Sequence, residues 1–374
     1  MKSHFTVVLD TLVSNMNNEV ITDIGQITQD WLNSVLIDSG VLVTDSVKDF
    51  DIKISGSENA RIAKIRLQYK PGTTGTLPAS LLLKMCAGDS TIVGSSEVNY
   101  YTRDYIHLVN RPIPTCYHAR YAENPRRYHI LMEDLSATHR PNWQTQPTLA
   151  YGCGVAQALA TLHAHWWGTE KLQAIGASVP SQTEIERYVA HVKAGLLPML
   201  EQVKNEIDTS WQSVLVDVFQ YHPAKMIERT KNSFGFTLIH GDVNPGNILS
   251  PFNGEGKIYL IDRQPFDWSL TTWLGVSDIA YMMVHWWEPD LRRQLEIPIL
   301  QEYYATLVRN SVSNYDWEQL MNDYKLTAIQ SLYVATQWCV LEEDRRKMRW
   351  VWFPQLCKSM TAFFDLHCSK LLTD

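Results

Sequence analysis

No stretch of the chain approaches the roughly 20 consecutive apolar residues that a membrane-crossing helix needs, so no membrane partner is expected. Positive charge is not in excess either: 33 Lys and Arg stand against 40 Asp and Glu, a formal net charge of −7. That balance offers no field to attract a phosphate backbone, and nucleic acid is not expected as a partner. Cysteine is sparse. The six residues Cys86, Cys116, Cys153, Cys339, Cys357 and Cys368 form no Cys-x-x-Cys pair and no dense framework. They read as reduced thiols of a cytoplasmic protein, small buried apolar side chains in their usual role. The stretch Met1–Met16 contains Asp10 and no sustained apolar run, so a secretory leader is not expected there. Internal repeats and low-complexity segments are also missing.

What is present is an ordinary globular composition, 45% hydrophobic and 20% charged, over 374 residues. That length suits two lobes or domains better than one core. Ile27, Trp31, Val35 and Leu36 share one helical face after Thr28, a candidate cap. From Phe50 the pattern becomes strand-like, with runs Phe50–Ser55 and Ala60–Tyr69 joined by a polar turn. A further apolar strand, Ser80–Cys86, carries a lysine inside it, and the spacing of Glu97–Val109 predicts a helix. Tyr128–Met132 is another strand. Beyond Pro141–Pro147 the pattern is mostly helical, interrupted by the short strands Phe236–Ile239 and Lys257–Ile261.

The most informative segment is Leu238–Leu249, LIHGDVNPGNIL. An apolar strand end leads into His240-Gly241-Asp242, and Asn247 follows five positions after Asp242. Asp262 then ends the apolar run IYLID. Phosphoryl transfer asks for such a set: one aspartate orients the acceptor hydroxyl and takes its proton, while an amide oxygen and a second carboxylate hold Mg²⁺ on the phosphates. Asp242, Asn247 and Asp262 can fill those roles, with His240 read as a loop organiser bonded to backbone near Asp262. The chance alternative is a strand that merely ends in Gly-Asp, but Asn247 and IDRQ together weigh against it.

The segment resembles the catalytic loop of aminoglycoside phosphotransferases and choline kinases, where HGD stands in place of the HRD of protein kinases. IDRQ resembles their metal-binding motif, and its Gln two positions after the aspartate is similar to the ecdysteroid-kinase-like branch. That resemblance extends over about residues 54–290. It implies that Lys84 in SLLLKMC binds the nucleotide phosphates and that Glu97 in SSEVNYY pairs with it; otherwise Lys84 would be an edge-strand solubility residue. It implies further that ISGSENARIAKIRL is a flap over the nucleotide, with Ser57 and Asn59 as contacts, and that the backbone around Glu133–Leu135 meets adenine. Asp278 resembles a structural aspartate that caps a helix and buttresses the catalytic loop.

The resemblance implies an α+β, bilobal protein-kinase-like fold, with ATP in the cleft between lobes. A small antiparallel-sheet lobe with a helical extension is expected over residues 1–135, and a larger, mainly helical catalytic lobe over 136–374. Residues 54–67 contain no G-x-G-x-x-G and the chain has no APE-like element, which argues against a protein kinase. The implied activity is transfer of the γ-phosphate of ATP, with Mg²⁺, to a hydroxyl of a small molecule: an aminoglycoside, an amino alcohol, a sterol-like alcohol or a sugar. The rival is a pseudokinase, a nucleotide-binding or scaffold module without turnover. Among the 13 tryptophans, the set Trp268, Trp273, Trp286, Trp287, Trp338, Trp350 and Trp352 is read as core packing in preference to a box for a quaternary ammonium.

Overall fold

The computed structural model describes residues 19–56, 60–86, 89, 91–143 and 146–373. The chain divides into two compact units. The first runs to His107 and adds Ile113–His139 and Pro265–Asp267; the second takes Leu108–Pro112, Arg140–Gln264 and the chain from Trp268.

In the first unit, helix α1 (Gln29–Asp38) starts where Thr28 Oγ1 accepts from Trp31 N at 3.1 Å, the expected cap. Strands β1 (Val47–Gly56), β2 (Ala60–Tyr69), β3 (Ser80–Cys86), β4 (Cys116–Glu123) and β5 (Arg126–Glu133) form a five-stranded sheet. Its order is β1-β2-β3-β5-β4, and every pairing is antiparallel. Trp31, Leu32, Val35 and Leu36 pack on one face of this sheet against Ala63, Ile65, Leu81, Leu83, Met85 and Leu131. Ile21 joins the same cluster, and its N donates to Nδ1 of the buried His129 at 2.9 Å, beside the Trp31 ring.

The helix predicted over Glu97–Val109 is shorter than its apolar spacing suggests. Helix α2 covers Ser96–Asn99 and widens into a π turn at Tyr100–Asp104, where Tyr100, Tyr101 and Asp104 are buried. Three aromatic rings crowd the turn, Tyr100 lying edge-on to both Tyr101 and Tyr105.

The second unit is mainly helical. Its helices include α3 (Leu149–His165), α4 (Gln182–Lys193), α5 (Leu196–Val203), α6 (Thr209–Arg229), α7 (Val276–Ala280), α8 (Pro289–Arg309), α9 (Trp317–Gln330), α10 (Leu332–Trp338) and α11 (Arg349–Asp365). Two small pairings break the run. Strand β6 (Phe236–Leu238) pairs with β9 (Thr272–Leu274), and β7 (Ile248–Pro251) with β8 (Tyr259–Leu260). A Cβ at Gly152 would lie 2.3 Å from the Ile299 side chain, so this glycine lets α3 and α8 approach closely. Trp273, Trp287 and Trp352 are fully buried core residues, whereas Trp350 is 73% exposed. All six cysteines are free thiols, and no helix among the described residues is long and apolar enough to cross a membrane.

Gly195, ahead of α5, marks the tightest backbone approach: an added Cβ would sit 1.8 Å from the Thr336 carbonyl oxygen on α10. Backbone cannot give way as a flexible side chain can. Gly195→Ala is therefore expected to destabilise the fold by about 3 kcal/mol, the upper end for overpacking. Chemical denaturation of the two proteins measures it, and a loss below about 1 kcal/mol contradicts the packing.

Candidate active site

The sheet unit carries the first group of site residues. Lys84 sits on β3 between Ile62 of β2 and Ile130 of β5, and both lysine and Glu97 are buried. Lys84 Nζ lies 2.7 Å from Glu97 Oε1. A buried ammonium is tolerable only with such an anionic partner, and the pair fixes the lysine's direction. The strand and helix positions read from the sequence are thus brought together.

Glu133 and Leu135 lie where β5 ends. Glu133 N donates to Thr115 O at 2.8 Å, and Leu135 O accepts from Thr138 N and His139 N at 3.0 and 2.9 Å. Between them, Asp134 is the anchor of the turn. It accepts from Ser80 Oγ at 2.5 Å and Ser136 N at 2.9 Å, and pairs with Lys64 Nζ at 2.7 Å. Burial alone would raise the Asp134 carboxyl, but the bonds from Lys64, Ser136 and Ser80 outweigh it and hold the group well below the usual carboxylate range. Ser57 and Asn59 lie outside the described residues.

The helical unit carries the second group. After β6 the chain turns through His240-Gly241-Asp242, with Gly241 at φ +79°, where a Cβ would also meet Gln264 at 2.9 Å. Asp278 of α7 pins this turn: His240 N donates to its Oδ2 at 2.6 Å and Gly241 N to its Oδ1 at 2.8 Å. His163 of α3 donates through Nε2 to the same Oδ2 at 3.1 Å, its Nδ1 lying 2.8 Å from the Tyr303 hydroxyl. Asp278 therefore buttresses the loop, but it does not cap α7, whose N-cap is Gly275. Burial pushes its carboxyl up, and the hydrogen bonds and charge of its partners, His163 first, reverse this into a net lowering.

His240 Nε2 donates to Ile261 O at 2.8 Å, and Gln264 N returns to His240 O at 3.0 Å. The ring thus joins the His-Gly-Asp segment to the IDRQ segment, as a loop organiser should; its Nδ1 accepts from Asp242 N at 3.3 Å, and burial lowers its pKa. Arg263, also buried, donates through Nε to Ile239 O at 3.0 Å and through Nη2 to Thr271 O at 3.3 Å. Asp262 takes up a left-handed backbone, φ 60°. Such a conformation is costly for a non-glycine residue and is typical of functional turns.

Asp242, Asn247 and Asp262 converge. Asn247 Nδ2 donates to Asp242 Oδ2 at 3.0 Å and to Asp242 O at 2.9 Å, and lies 3.5 Å from Asp262 O. These bonds fix the orientation of the Asn247 amide. Asp242 Oδ1 accepts from Asn244 Nδ2 at 3.0 Å and from the Tyr281 hydroxyl at 2.8 Å. Desolvation, and secondarily the Asp262 charge, raise the Asp242 pKa above the ordinary carboxylate value. Among the described residues no cluster of three or more His, Cys, Asp or Glu could hold a metal by itself. One carboxylate and one amide oxygen are nevertheless the sparse protein donor set with which Mg²⁺ is held on substrate phosphates.

Tyr281, Asn244, Arg263 and His163 were not picked out from the sequence as site residues. Asn244 had a signal in the turn-forming Asn-Pro-Gly after Asp242, and Tyr281 stands three positions after Asp278, hence on the same helix face. Arg263 and His163 had none beyond their neighbours.

A profile of the ecdysteroid kinase-like family matches residues 100–313, more than half of the chain. The chain belongs to that family. Asp242, Asn247, Asp262, Asp278 and Tyr281 all fall inside the matched region of this ecdysteroid kinase-like protein. Among solved structures, a choline kinase from Cryptosporidium parvum aligns with TM-score 0.54 and 14% identity, covering 91% of this chain and 98% of its own. A spectinomycin phosphotransferase in complex with ADP and spectinomycin aligns at 0.50 and 13%, covering 90% and 98%. A glucosamine kinase aligns at 0.50 and 12%, covering 82% and 90%. At these identities the likeness is one of fold, and the protein has the protein-kinase-like fold. No curated protein sequence matches the chain.

The depressed carboxyls have a consequence for stability. A group whose folded pKa lies below its unfolded value of about 3.9 adds stability that is complete above that value and is lost as pH falls through the folded pKa. Asp134 and Asp278 are of this kind. Denaturation as a function of pH should show stability falling below about pH 4. Asp278→Asn should cost about 3 kcal/mol at neutral pH and make the acid limb shallower. An acid limb unchanged in slope would show that the Asp278 bonds do not carry that stability.

Proposed function

We propose that the protein is a Mg²⁺-ATP-dependent kinase that transfers the γ-phosphoryl group to a hydroxyl of a small molecule. The observation that carries this reading is the convergence of Asp242, Asn247 and Asp262 through the Asn247 side chain. A carboxylate placed to take a proton, with an amide and a second carboxylate residue beside it, matches what phosphoryl transfer needs, since that chemistry is mostly positioning and charge stabilisation.

In this mechanism Asp242 binds the acceptor hydroxyl and takes its proton as the oxygen bonds to the γ-phosphorus and the bond to the β-phosphate oxygen breaks. Its raised pKa makes it a better base than an ordinary aspartate. Asn247 and Asp262 would hold Mg²⁺, which when bound neutralises phosphate charge and orients the transferring group. Lys84, kept in place by Glu97, would hold the nucleotide phosphates, and backbone near Glu133–Leu135 would meet the adenine.

The acceptor is proposed to be neutral or cationic. Trp143 is 55% exposed, and its ring lies against Gly246 of the catalytic-loop segment and edge-on to Trp286 at 5.4 Å. Those faces, in an acidic protein, favour an apolar or positively charged body over an anionic one. The choline, spectinomycin and glucosamine named for the structural neighbours are alcohols of neutral or cationic character and support the same class.

The deciding experiment is an ATP-consumption screen of the purified protein with Mg²⁺ against a panel of alcohols. A substrate-dependent rate is expected, with kcat/KM higher for choline or a sterol-like alcohol than for a sugar phosphate; the reverse order would remove the charge argument and leave the kinase reading intact. Asp242→Asn should lower kcat by about two to four orders of magnitude with little change in ATP affinity. Asp262→Ala should abolish the Mg²⁺-dependent rate. Binding of Mg²⁺-ATP without consumption on any alcohol would instead indicate a pseudokinase.

A further inference from the structure

Tyr281 touches the proposed base from a helix, not from the loop that carries it. Its hydroxyl and the Asn244 amide both donate to Asp242 Oδ1, at 2.8 and 3.0 Å, whereas Oδ2 receives Asn247 Nδ2 at 3.0 Å. A carboxylate oxygen offers two in-plane lone pairs. Oδ1 is therefore filled, and Oδ2 keeps one pair for an incoming proton.

The phenol is itself held. Tyr281 opens a π turn, Tyr281–His285, and its ring lies edge-on to the His285 ring at 4.6 Å. His285 is buried and donates through Nε2 to Ser331 O at 3.0 Å. Three residues earlier, Asp278 accepts the His240 and Gly241 N–H groups. One stretch of helix thus grips the backbone of the catalytic loop with one residue and the carboxylate of its aspartate with another.

We propose that Tyr281 is a positioning residue for phosphoryl transfer: with Asn244 it saturates Oδ1, stops rotation of the Asp242 carboxylate, and makes Oδ2 the oxygen that receives the acceptor's proton. The inference rests on the kinase reading of Asp242. In the step itself the acceptor O–H bond breaks, its proton passes to Oδ2, and the electron pair left on oxygen forms the bond to the γ-phosphorus, while the bond from the γ-phosphorus to the bridging β-phosphate oxygen breaks and ADP leaves with that electron pair. Fixing the acceptor-facing oxygen in advance removes a reorientation from the barrier, an effect of the size lost when reacting groups are misplaced by about an ångström.

The test is Tyr281→Phe, which keeps the ring and removes the donor. Mg²⁺-ATP turnover is measured with choline and with water as acceptors. The expected result is a roughly 10- to 100-fold fall in kcat with KM for ATP unchanged. Adding Tyr281→Phe to Asp242→Asn should cause no further fall, because the hydroxyl acts through that carboxylate. A fall that is equal in both backgrounds, or an unchanged kcat in the single variant, overturns the proposal. Independently of turnover, 3-fluorotyrosine placed at position 281 gives a ¹⁹F resonance that should move on Asp242→Asn; a resonance that stays put overturns it even where Tyr281→Phe fails to fold. Failure of the kinase reading looks different: wild-type protein that consumes no Mg²⁺-ATP with any acceptor ends both.

Discussion

A carboxylate withdrawn from water has to be surrounded by donors, and in this protein that requirement at Asp278 sets the geometry of two loops. Its oxygens are engaged by the His240 and Gly241 N–H groups and by His163. For two successive N–H groups to point at one carboxylate the chain must turn sharply, and it does so through the positive φ of Gly241. The turn places the His240 ring against Ile261 O, and Gln264 N closes the return bond to His240 O. Asp242 and Asp262 then stand on segments already tied to each other. The buried charge is unfavourable in itself, and the bonds it collects convert that cost into a specified conformation.

The second dependence is smaller in extent but of the same kind. Lys84 is placed inside an apolar strand, with Ile62 and Ile130 as its ladder neighbours. Glu97 must therefore come to it, and the short helix that carries Glu97 is fixed in position by that demand. The turn after β5 is organised similarly around Asp134, whose partners come from β2, β3 and the turn itself. In each case a charged group is buried where nearby donors or an opposite charge compensate it.

This explains which parts of the protein were legible in the sequence. Charge out of place is conspicuous, so a lysine in SLLLKMC and the acids of HGD and IDRQ could be read together, and the amphipathic stripe of α1 after Thr28 was equally plain. Strand β4 was not seen, because its residues are mostly half-exposed at the sheet edge and CYHARYAE shows no apolar run. Strands β7 and β9 are only four and three residues long and gave no periodic signal. The helix after Glu97 was overextended because aromatic spacing continues beyond the point where the backbone widens. Tyr281 was missed for a different reason: a tyrosine in an apolar helix looks like core, and its role depends on a loop some 40 positions away in sequence.

Glu97 and Asp278 share one feature of chain geometry. Each stands three residues ahead of a π turn, Tyr100–Asp104 in one case and Tyr281–His285 in the other. A π turn is an α-helix accommodating one additional residue, and it puts the segments on either side out of phase. Deleting a single residue from Tyr281–His285 would return the backbone to the ordinary α repeat and remove the wide turn in which the Tyr281 and His285 rings meet. His285 would then leave Ser331, and the phenol would lose the ring that supports it. The length of each turn is thus as much a part of the site as the acid that precedes it. Insertions and deletions there would be far less tolerated than substitutions, the reverse of what an exposed loop allows.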